Sequence, residues 1–214
     1  MPGLVKDYIL IIQTCYPKII ILVILPYFMN TIYQPAEDSY LMSRILKEQI
    51  PFLLEKNPDL KFLEIGAGSG IHLETVSSIG IKKENIFSSD INLSSVNHCT
   101  SLGYTCVYSD LFENIQGKYN IIIFNPPYLP EDSREPQDSR LATTGGNKGD
   151  EIILRFLNDA KNYLEEYGKI FLITSNLAEQ IDFEELGYGA EELGCEKMFF
   201  ERLCIWELTL LPSN

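Results

Sequence analysis

The stretch Tyr119-Asn-Ile-Ile-Ile-Phe-Asn-Pro-Pro-Tyr128 joins a continuous apolar run to an asparagine followed by two prolines. An apolar run without alternation is typical of a central strand in a parallel sheet with both faces covered. Proline cannot donate to a strand ladder, so Pro126 and Pro127 end the strand abruptly. Because ligands of open parallel sheets bind outside the carboxyl ends of the strands, we expect Asn125 to lie in a crevice. Taken alone, this tetrapeptide is also compatible with a plain strand and turn.

The composition favours one acidic globular domain. The chain has 214 residues, of which 45% are hydrophobic and 22% charged, and this is long enough to build a core. Lys and Arg total 17 against 30 Asp and Glu, so the formal net charge is -13. Such a surface repels phosphate backbones. A protein or small-molecule substrate is therefore favoured over nucleic acid, although a local basic patch is compatible with the negative total.

The cysteines indicate a protein without a metal centre. They are scattered, without a Cys-x-x-Cys pair, and the chain has only two histidines. Zinc sites and histidine-dependent nucleophiles are hard to build from this set. We expect reduced, buried thiols and a cytoplasmic location. The five cysteines are Cys15, Cys99, Cys106, Cys195 and Cys204.

Polar groups follow three further predicted strands. The strand at 61–65 leads into Gly66-Ala-Gly-Ser-Gly70, where glycine lets the backbone approach a ligand at an open helix N-terminus. Asp90 follows the next strand at the interval where a carboxylate accepts ribose hydroxyls, and Asp110 follows a strand at 105–108. We expect these groups to share one sheet edge with Asn125, although a single Asp at such a position is more often an N-cap or turn residue than a ligand. The loop lacks a phosphate-binding lysine, so the predicted ligand is a nucleoside without phosphates, such as S-adenosylmethionine.

Periodicity predicts the remaining elements. Apolar residues between 41 and 50 have helical spacing after Pro35, which suits a helix start. A long polar loop at 129–150 is predicted to be a substrate lid, and an antiparallel hairpin is predicted to close the sheet. The predicted helices lie at 152–164 and 177–186, a buried strand lies at 169–174, and the hairpin strands lie at 196–200 and 203–210 with a connection at 201–202.

Residues 1–30 differ from the rest of the chain. The apolar run 19–28 follows Lys18 and contains Pro26, so it makes an interrupted membrane helix, and it lacks the features of a secretory signal. We interpret residues 1–30 as a hydrophobic extension outside the core, with Met29 as the natural start, and place the folded domain at 31–212. A membrane-associated segment at 1–28 and an integral part of the core are the alternatives.

The chain resembles the class I S-adenosylmethionine-dependent methyltransferases, and more closely the HemK-type glutamine methyltransferases of the short eukaryotic and archaeal branch. The resemblance covers residues 33 to 208, and Ser39 keeps the hydroxyl where relatives often have threonine. It implies an α/β, Rossmann-like fold: a mostly parallel seven-stranded sheet with a C-terminal antiparallel hairpin and helices on both faces. The motifs that carry it are Tyr33-Gln-Pro-Ala-Glu-Asp-Ser39, Leu63-Glu-Ile-Gly-Ala-Gly-Ser-Gly70, Ser89-Asp-Ile-Asn92, Asp110-Leu-Phe112, Asn125-Pro-Pro-Tyr128 and Thr144-Gly-Gly146 with the following helix.

The resemblance implies roles for named residues. The Asn125 side-chain oxygen and the Pro126 carbonyl would accept the two N–H groups of an amide, while Pro127 and Tyr128 complete the catalytic tetrapeptide. Asp90 is assigned to the ribose hydroxyls and Asp110 to the adenine amino group. Helix capping and strand-end solvation are equally good explanations for Ser39 and Glu64. The implied cofactor-binding residues are Ser39, Glu64, Gly66, Ala67, Gly68, Gly70, Asp90, Ile91, Asp110, Leu111 and Asn125.

The resemblance also implies a substrate and a partner. The substrate would be the glutamine of a Gly-Gly-Gln tripeptide in a peptide chain release factor, methylated on its amide nitrogen. The partner would be a small zinc-binding activator protein that forms a heterodimer with this chain. Three alternatives are open: an adenine-N6 or guanine-N2 nucleic-acid methyltransferase, which shares the Asn-Pro-Pro-Tyr motif; lysine methylation as a side activity; and an inactive methyltransferase-like binding module.

Overall fold

The computed structural model describes residues 8–15, 19–26, 32–131 and 143–212. The chain divides into two units, residues 1–30 and 31–214. In the first unit, β1 (Tyr8–Cys15) and β2 (Ile19–Pro26) pair antiparallel. This hairpin differs from the interrupted helix considered for the stretch. Across the described ranges, no helix is long and apolar enough to cross a membrane.

The second unit alternates strands and helices along the chain. Its α-helices are α1 (Glu37–Lys56), α2 (Ile71–Ile79), α3 (Leu93–Ser101) and α4 (Glu151–Ala160). Its strands are β3 (Phe62–Ile65), β4 (Ile86–Asp90), β5 (Thr105–Tyr108), β6 (Tyr119–Phe124), β7 (Leu129–Pro130), β8 (Thr144–Gly146), β9 (Leu164–Ser175), β10 (Tyr188–Met198) and β11 (Glu201–Leu210). The α4 helix ends before the predicted residue 164 because Leu164 already begins β9.

The main sheet has seven strands in the order β10-β11-β9-β6-β3-β4-β5. Strands β9, β6, β3, β4 and β5 are parallel, and β11 runs antiparallel between β9 and β10. The predicted fold class is confirmed. Because the parallel strands all point the same way, their carboxyl ends lie along one edge, where the predicted polar groups follow them.

Helices cover both faces of this sheet, and β6 shows why its sequence is apolar throughout. Ile121 and Ile123 belong to the core that contains the buried residues of α1 and α2. Ile122 and Phe124 belong to the second core, with those of α4. Successive strand residues point to opposite faces, so a strand buried on both sides must be apolar at every position.

The predicted helix at 177–186 is wrong. The segment forms turns in which side chains take the backbone N–H groups. Ser175 Oγ accepts the N–H of Leu177, and Asp182 Oδ1 accepts that of Glu184. Local bonds of this kind compete with helix formation. The apolar residues that suggested a helix still pack against the second core, but from turns.

The C-terminal hairpin differs from the prediction in its turn and in its cysteines. The turn lies at 199–200 and not at 201–202, and β10 begins at Tyr188. With this register Cys195 lies opposite Cys204, and the two form a disulfide. The expectation of reduced thiols is therefore wrong for this pair, whereas Cys99 and Cys106 are free. The side chain of Cys15 lies outside the described residues.

Candidate active site

Four neighbouring strands bring their polar ends together at the carboxyl edge of the sheet. Asn125 follows β6, Gly66 follows β3, Asp90 ends β4 and Asp110 lies two residues after β5. This is the arrangement expected from the four motifs. The edge therefore combines an asparagine amide, a glycine turn and two carboxylates.

The glycine turn between β3 and α2 has a backbone that only glycine adopts readily. Gly66, Gly68 and Gly70 have φ values of +72°, +51° and +78°, in the left-handed region. The N–H groups of Gly66 and Ala67 donate to the Ser89 carbonyl oxygen at 2.8 and 3.0 Å. The turn is thus fixed to β4 and leads directly into the N-terminus of α2.

Asp90 joins this turn to the strand beside it. Its Oδ2 accepts the Gly68 N–H at 2.8 Å and its Oδ1 accepts the Asn92 N–H at 2.7 Å. Burial raises the pKa of Asp90 despite these bonds, which favour the charged form. The adjacent Ile91 is 40% exposed. A buried carboxylate beside an exposed apolar side chain suits a ligand with hydroxyl groups and a flat ring.

Asp110 and Leu111 occupy a turn that follows β5 and lies near α4. Asp110 Oδ2 forms an ion pair with Arg155 Nη2 at 2.9 Å, and both side chains are partly exposed. Leu111 has a left-handed φ of +47°, and its carbonyl oxygen accepts the Ser109 hydroxyl at 2.9 Å. Asp110 therefore shares its carboxylate with Arg155, a contact that was not predicted.

The side-chain amide of Asn125 has a fixed orientation. Its Nδ2 donates to Asp38 Oδ2 at 2.9 Å, and a carboxylate at that position can only accept. The other amide atom, Oδ1, is buried and has no hydrogen-bond partner among the residues that the structure describes. A buried polar atom without a partner is rare in folded proteins. The Asn125 amide thus keeps one oriented acceptor atom that no described residue uses.

Asp38, which was not predicted, is a further residue of the candidate site because it contacts Asn125. It is 5% exposed, and it accepts the Tyr33 hydroxyl at 3.0 and 3.1 Å and the Ser39 N–H at 2.6 Å. Burial and the charge of Asp38 raise the pKa of Tyr33, so its hydroxyl remains a donor. The sequence signal that could have identified Asp38 is the motif Gln34-Pro-Ala-Glu-Asp-Ser39, which contains it and carries the resemblance to the family.

Ser39 and Glu64 are connected through a buried histidine. His72 Nδ1 lies 2.6 Å from Glu64 Oε1, and His72 Nε2 lies 3.1 Å from the Ser39 carbonyl oxygen. Because a carbonyl oxygen only accepts, His72 Nε2 must carry a proton. The short contact between His72 Nδ1 and Glu64 Oε1 requires a second proton between those two atoms. Burial raises the pKa of Glu64, and the charge of Glu64 raises that of His72 against the effect of burial. Glu64 Oε2 is buried, and within the described part of the chain it has no hydrogen-bond partner.

Ser39 thus lies among protein contacts and not at an open surface. Its hydroxyl donates to Asp38 Oδ1 at 3.2 Å, and the residue is 2% exposed. It does not cap α1, whose N-cap is Ala36. Of the two predicted polar contacts to a cofactor, only Glu64 has a buried atom without a hydrogen-bond partner.

Glycines in and after β8 pack on the backbone of the tetrapeptide 125–128. A Cβ at Gly145 would lie 2.6 Å from the Pro127 carbonyl oxygen, and one at Gly149 would lie 2.5 Å from that of Tyr128. Real Cβ atoms do not approach so closely, so a side chain at either position would displace the tetrapeptide. This explains why glycine is required in this segment.

Tyr128 packs against both cores. Burial, together with the charges of Asp38 and Glu201, raises the pKa of Tyr128 above its usual range. Glu201 Oε1 accepts the Ser175 hydroxyl at 2.7 Å. The start of β11 therefore lies close to the tetrapeptide.

The predicted lid at 129–150 is described at its two ends. Strands β7 and β8 pair parallel, with Leu129 opposite Thr144 and Pro130 opposite Gly146. Residues 132–142 lie outside the described residues, and the lid stays a prediction.

Known proteins resemble this chain in sequence and in fold. The family model of the Eco57I restriction-modification methylase matches residues 42–182. A protein of Methanocaldococcus jannaschii named as a protein N5-glutamine methyltransferase is 35% identical over 83% of this chain and 92% of its own length. The eRF1 methyltransferase catalytic subunit mtq2 of Schizosaccharomyces pombe is 29% identical over 66% of this chain and 71% of its own. The E. cuniculi Mtq2-Trm112 complex, which methylates the eRF1 translation termination factor, superposes with a TM-score of 0.60 at 24% identity, covering 82% of this chain and 96% of the other.

Proposed function

Because this chain belongs to the class I methyltransferases, matching both the Eco57I methylase family and the protein N5-glutamine methyltransferases, we propose that it methylates a glutamine side chain. The acceptor is the amide nitrogen of the glutamine in the Gly-Gly-Gln tripeptide of a peptide chain release factor. The methyl donor is S-adenosylmethionine. The names of the relatives and the geometry around Asn125 support this choice.

The observation that carries the proposal is the buried, unpartnered Asn125 Oδ1. Asp38 accepts a hydrogen bond from Asn125 Nδ2, so Oδ1 is the amide atom that is left to accept one from a substrate. A primary amide brings two N–H donors, and Oδ1 can accept one of them. A substrate whose acceptor group is an ester or a sulfur atom has no N–H to donate. It would leave Asn125 Oδ1 without a hydrogen-bond partner, at a cost of about 1–3 kcal/mol.

An amide nitrogen is a weak nucleophile because its lone pair is delocalised into the carbonyl. The residues therefore contribute orientation and placed charge. Asn125 Oδ1 holds one N–H and the Pro126 carbonyl oxygen holds the other, which turns the nitrogen toward the methyl group. The prolines keep this clamp rigid, and Tyr128 packs beside the acceptor and excludes water. No residue has to act as a strong base, because the methylated nitrogen loses its extra proton to water.

The same edge suits the proposed donor. S-adenosylmethionine supplies a methyl group on a positively charged sulfur. The glycine turn at 66–70 would hold its methionine half, with Glu64 Oε2 as a buried acceptor for the ammonium group. Asp90 would bind the ribose hydroxyls, Ile91 would pack on the adenine, and Asp110 with the Leu111 N–H would bind the adenine edge.

Partner, location and domain limits complete the proposal. A small zinc-binding activator forms a heterodimer with this chain, by analogy with the Mtq2-Trm112 complex. The substrate is a translation factor, so the reaction takes place in the cytoplasm. Residues 31–212 form the catalytic domain and residues 1–30 lie outside it, which the division of the chain into two units supports. A chain that starts at Thr31 should therefore keep its activity.

The test is a methylation assay with labelled S-adenosylmethionine and a purified release factor, with and without the activator. We expect one methyl group on the glutamine of the tripeptide, located by mass spectrometry, and none when that glutamine is changed to alanine. Asn125→Ala should abolish steady-state transfer and leave only a residual rate that a single-turnover assay with excess enzyme can detect, while calorimetric cofactor affinity stays mostly intact. Asp90→Ala should weaken cofactor affinity instead. Label at any other residue of the release factor would refute the proposed substrate.

A second candidate is methylation of an exocyclic amino group in nucleic acid, and the match to the Eco57I family favours it. The same clamp would orient an adenine or guanine amino group. The net charge of -13 opposes binding to a phosphate backbone. Duplex DNA and structured RNA in the same assay distinguish the two functions, and we expect neither to be labelled.

A further inference from the structure

The turn between β10 and β11 exposes two adjacent phenylalanines. Phe199 is 96% exposed and Phe200 is 92% exposed. Phe199 also has a left-handed φ of +44°, which is unfavourable for a bulky side chain. The turn thus holds two large apolar side chains in water at its tip.

This tip lies on the same side of the sheet as the candidate active site. Strand β11 is antiparallel to β9 and β10 is antiparallel to β11, so β10 ends at the same edge as the parallel strands. Glu201 begins β11 and accepts a hydrogen bond from Ser175, the last residue of β9. Strand β9 is the neighbour of β6, after which Asn125 follows. The tip therefore borders the crevice.

The border of the crevice is acidic. Glu37, Asp38 and Glu201 all lie close enough to Tyr33 for their charges to act on its hydroxyl. Lys197 and Arg202 flank the turn itself, and Arg202 forms an ion pair with Glu192, so the acids are in excess. With a net charge of -13 on the chain, this border attracts a basic surface and repels an anionic one. Its occupant should combine positive charge with an apolar patch. A protein surface meets both conditions, whereas an anionic membrane does not.

We propose that Phe199 and Phe200 dock an apolar patch of the protein substrate beside the glutamine that Asn125 receives. This inference rests on the proposed function and deepens it. A single glutamine side chain offers little surface for recognition, and an enzyme that selects one glutamine in a protein needs contacts outside the crevice. Exposed aromatic side chains next to a binding site are typical anchors of protein interfaces.

The test compares the wild type with the Phe199→Ser/Phe200→Ser double variant. The full-length release factor and a short peptide containing its tripeptide serve as substrates. For the protein substrate we expect KM to rise at least about tenfold, because two phenylalanines lose their burial, with kcat and cofactor affinity unchanged. For the peptide, kcat/KM should stay within about twofold of the wild type if it is turned over. If the peptide is not turned over, the full-length protein decides: the inference requires that KM rises while kcat stays unchanged.

Tyr167→Ser is the matched control. Tyr167 is 89% exposed, also has a left-handed φ of +62°, and lies near the start of β9, at the opposite edge of the sheet. Tyr167→Ser should leave KM and kcat unchanged for both the release factor and the peptide. An unchanged KM for the release factor in the double variant would overturn the inference, and so would an equal loss on protein and peptide. Binding of the wild type to anionic vesicles that the double variant loses, with KM unchanged, would assign the tip to a membrane and overturn it as well. A wild type that does not methylate the release factor would refute the proposed function instead.

Discussion

Replacing Asp38 tests whether the orientation of Asn125 is what makes the site active. In Asp38→Ala the Asn125 amide loses the acceptor that holds Nδ2 at 2.9 Å. The amide can then rotate and present a donor to the substrate N–H. A hydrogen bond to a charged group contributes about 1.5–3 kcal/mol, which corresponds to a loss of about 10- to 150-fold in kcat.

The assay is steady-state methylation of the release factor, with cofactor affinity measured by calorimetry and folding checked by thermal unfolding. Cofactor affinity should change by less than about twofold, because Asp38 acts on the acceptor side. Asp38→Asn keeps a neutral acceptor and should lie between the wild type and Asp38→Ala. Glu37→Ala is the matched control, since Glu37 is the exposed acid next in sequence and should leave kcat unchanged.

The decisive measurement is a double-mutant cycle. If Asp38 acts only through Asn125, then Asp38→Ala/Asn125→Ala should be no slower than Asn125→Ala alone. A kcat for Asp38→Ala within about twofold of the wild type would refute the reasoning. Independent losses that multiply in the double variant would also refute it, because Asp38 would then act on the reaction by another route.

Three further predictions concern the support of the site. Gly145→Ala should lower the free energy of unfolding by about 1–3 kcal/mol, because the added methyl overpacks the tetrapeptide, and a thermal midpoint equal to that of the wild type would contradict this. Reducing the Cys195–Cys204 disulfide, which closes a short loop of sequence separation 9, should cost about 2–3 kcal/mol in denaturant titration, and Cys195→Ser should abolish the response to reductant. Burial opposes the charged form of His72, but the charge of Glu64 outweighs this effect and raises the pKa of His72 above 6.5. The stabilisation by the pair is therefore complete below pH 6.5 and is lost as the pH rises through the pKa of His72 in the folded protein. The stability difference between the wild type and Glu64→Gln/His72→Leu, which removes both titrating groups, should therefore shrink as the pH rises above 6.5, and a difference that grows would refute the assignment.

Much of the fold could be predicted because its signals are local. The apolar run of β6 and the prolines after it specify a buried strand and its end within ten residues. The glycines at 66–70 likewise specify a turn that strand and helix propensities alone would not place. Since parallel strands share a carboxyl edge, these local assignments also predicted which polar groups meet.

The part of the site that escaped prediction depends on contacts between distant positions. Asp38 and Asn125 are 87 positions apart, and no periodicity connects a residue in the first turn of a helix to an asparagine after a strand. The contact of Gly145 with the tetrapeptide could not be predicted from the sequence either, because it depends on how two separate segments pack against each other.

Strand register explains the missed disulfide. The hairpin turn was predicted two residues too late, so the predicted register placed Cys195 opposite Leu208. The observed turn pairs Met198 with Glu201, and counting outward from that pair places Cys195 opposite Cys204. A hairpin register is set by its turn, and the sequence Phe-Phe gives no strong turn signal.

The start of α1 connects the proposed acceptor side of the site with its proposed cofactor side. Asp38 positions the amide that receives the acceptor, and the carbonyl of the next residue, Ser39, accepts the hydrogen bond from His72, which holds Glu64 on the cofactor side. A shift of this one turn would move both reactants' contacts at once.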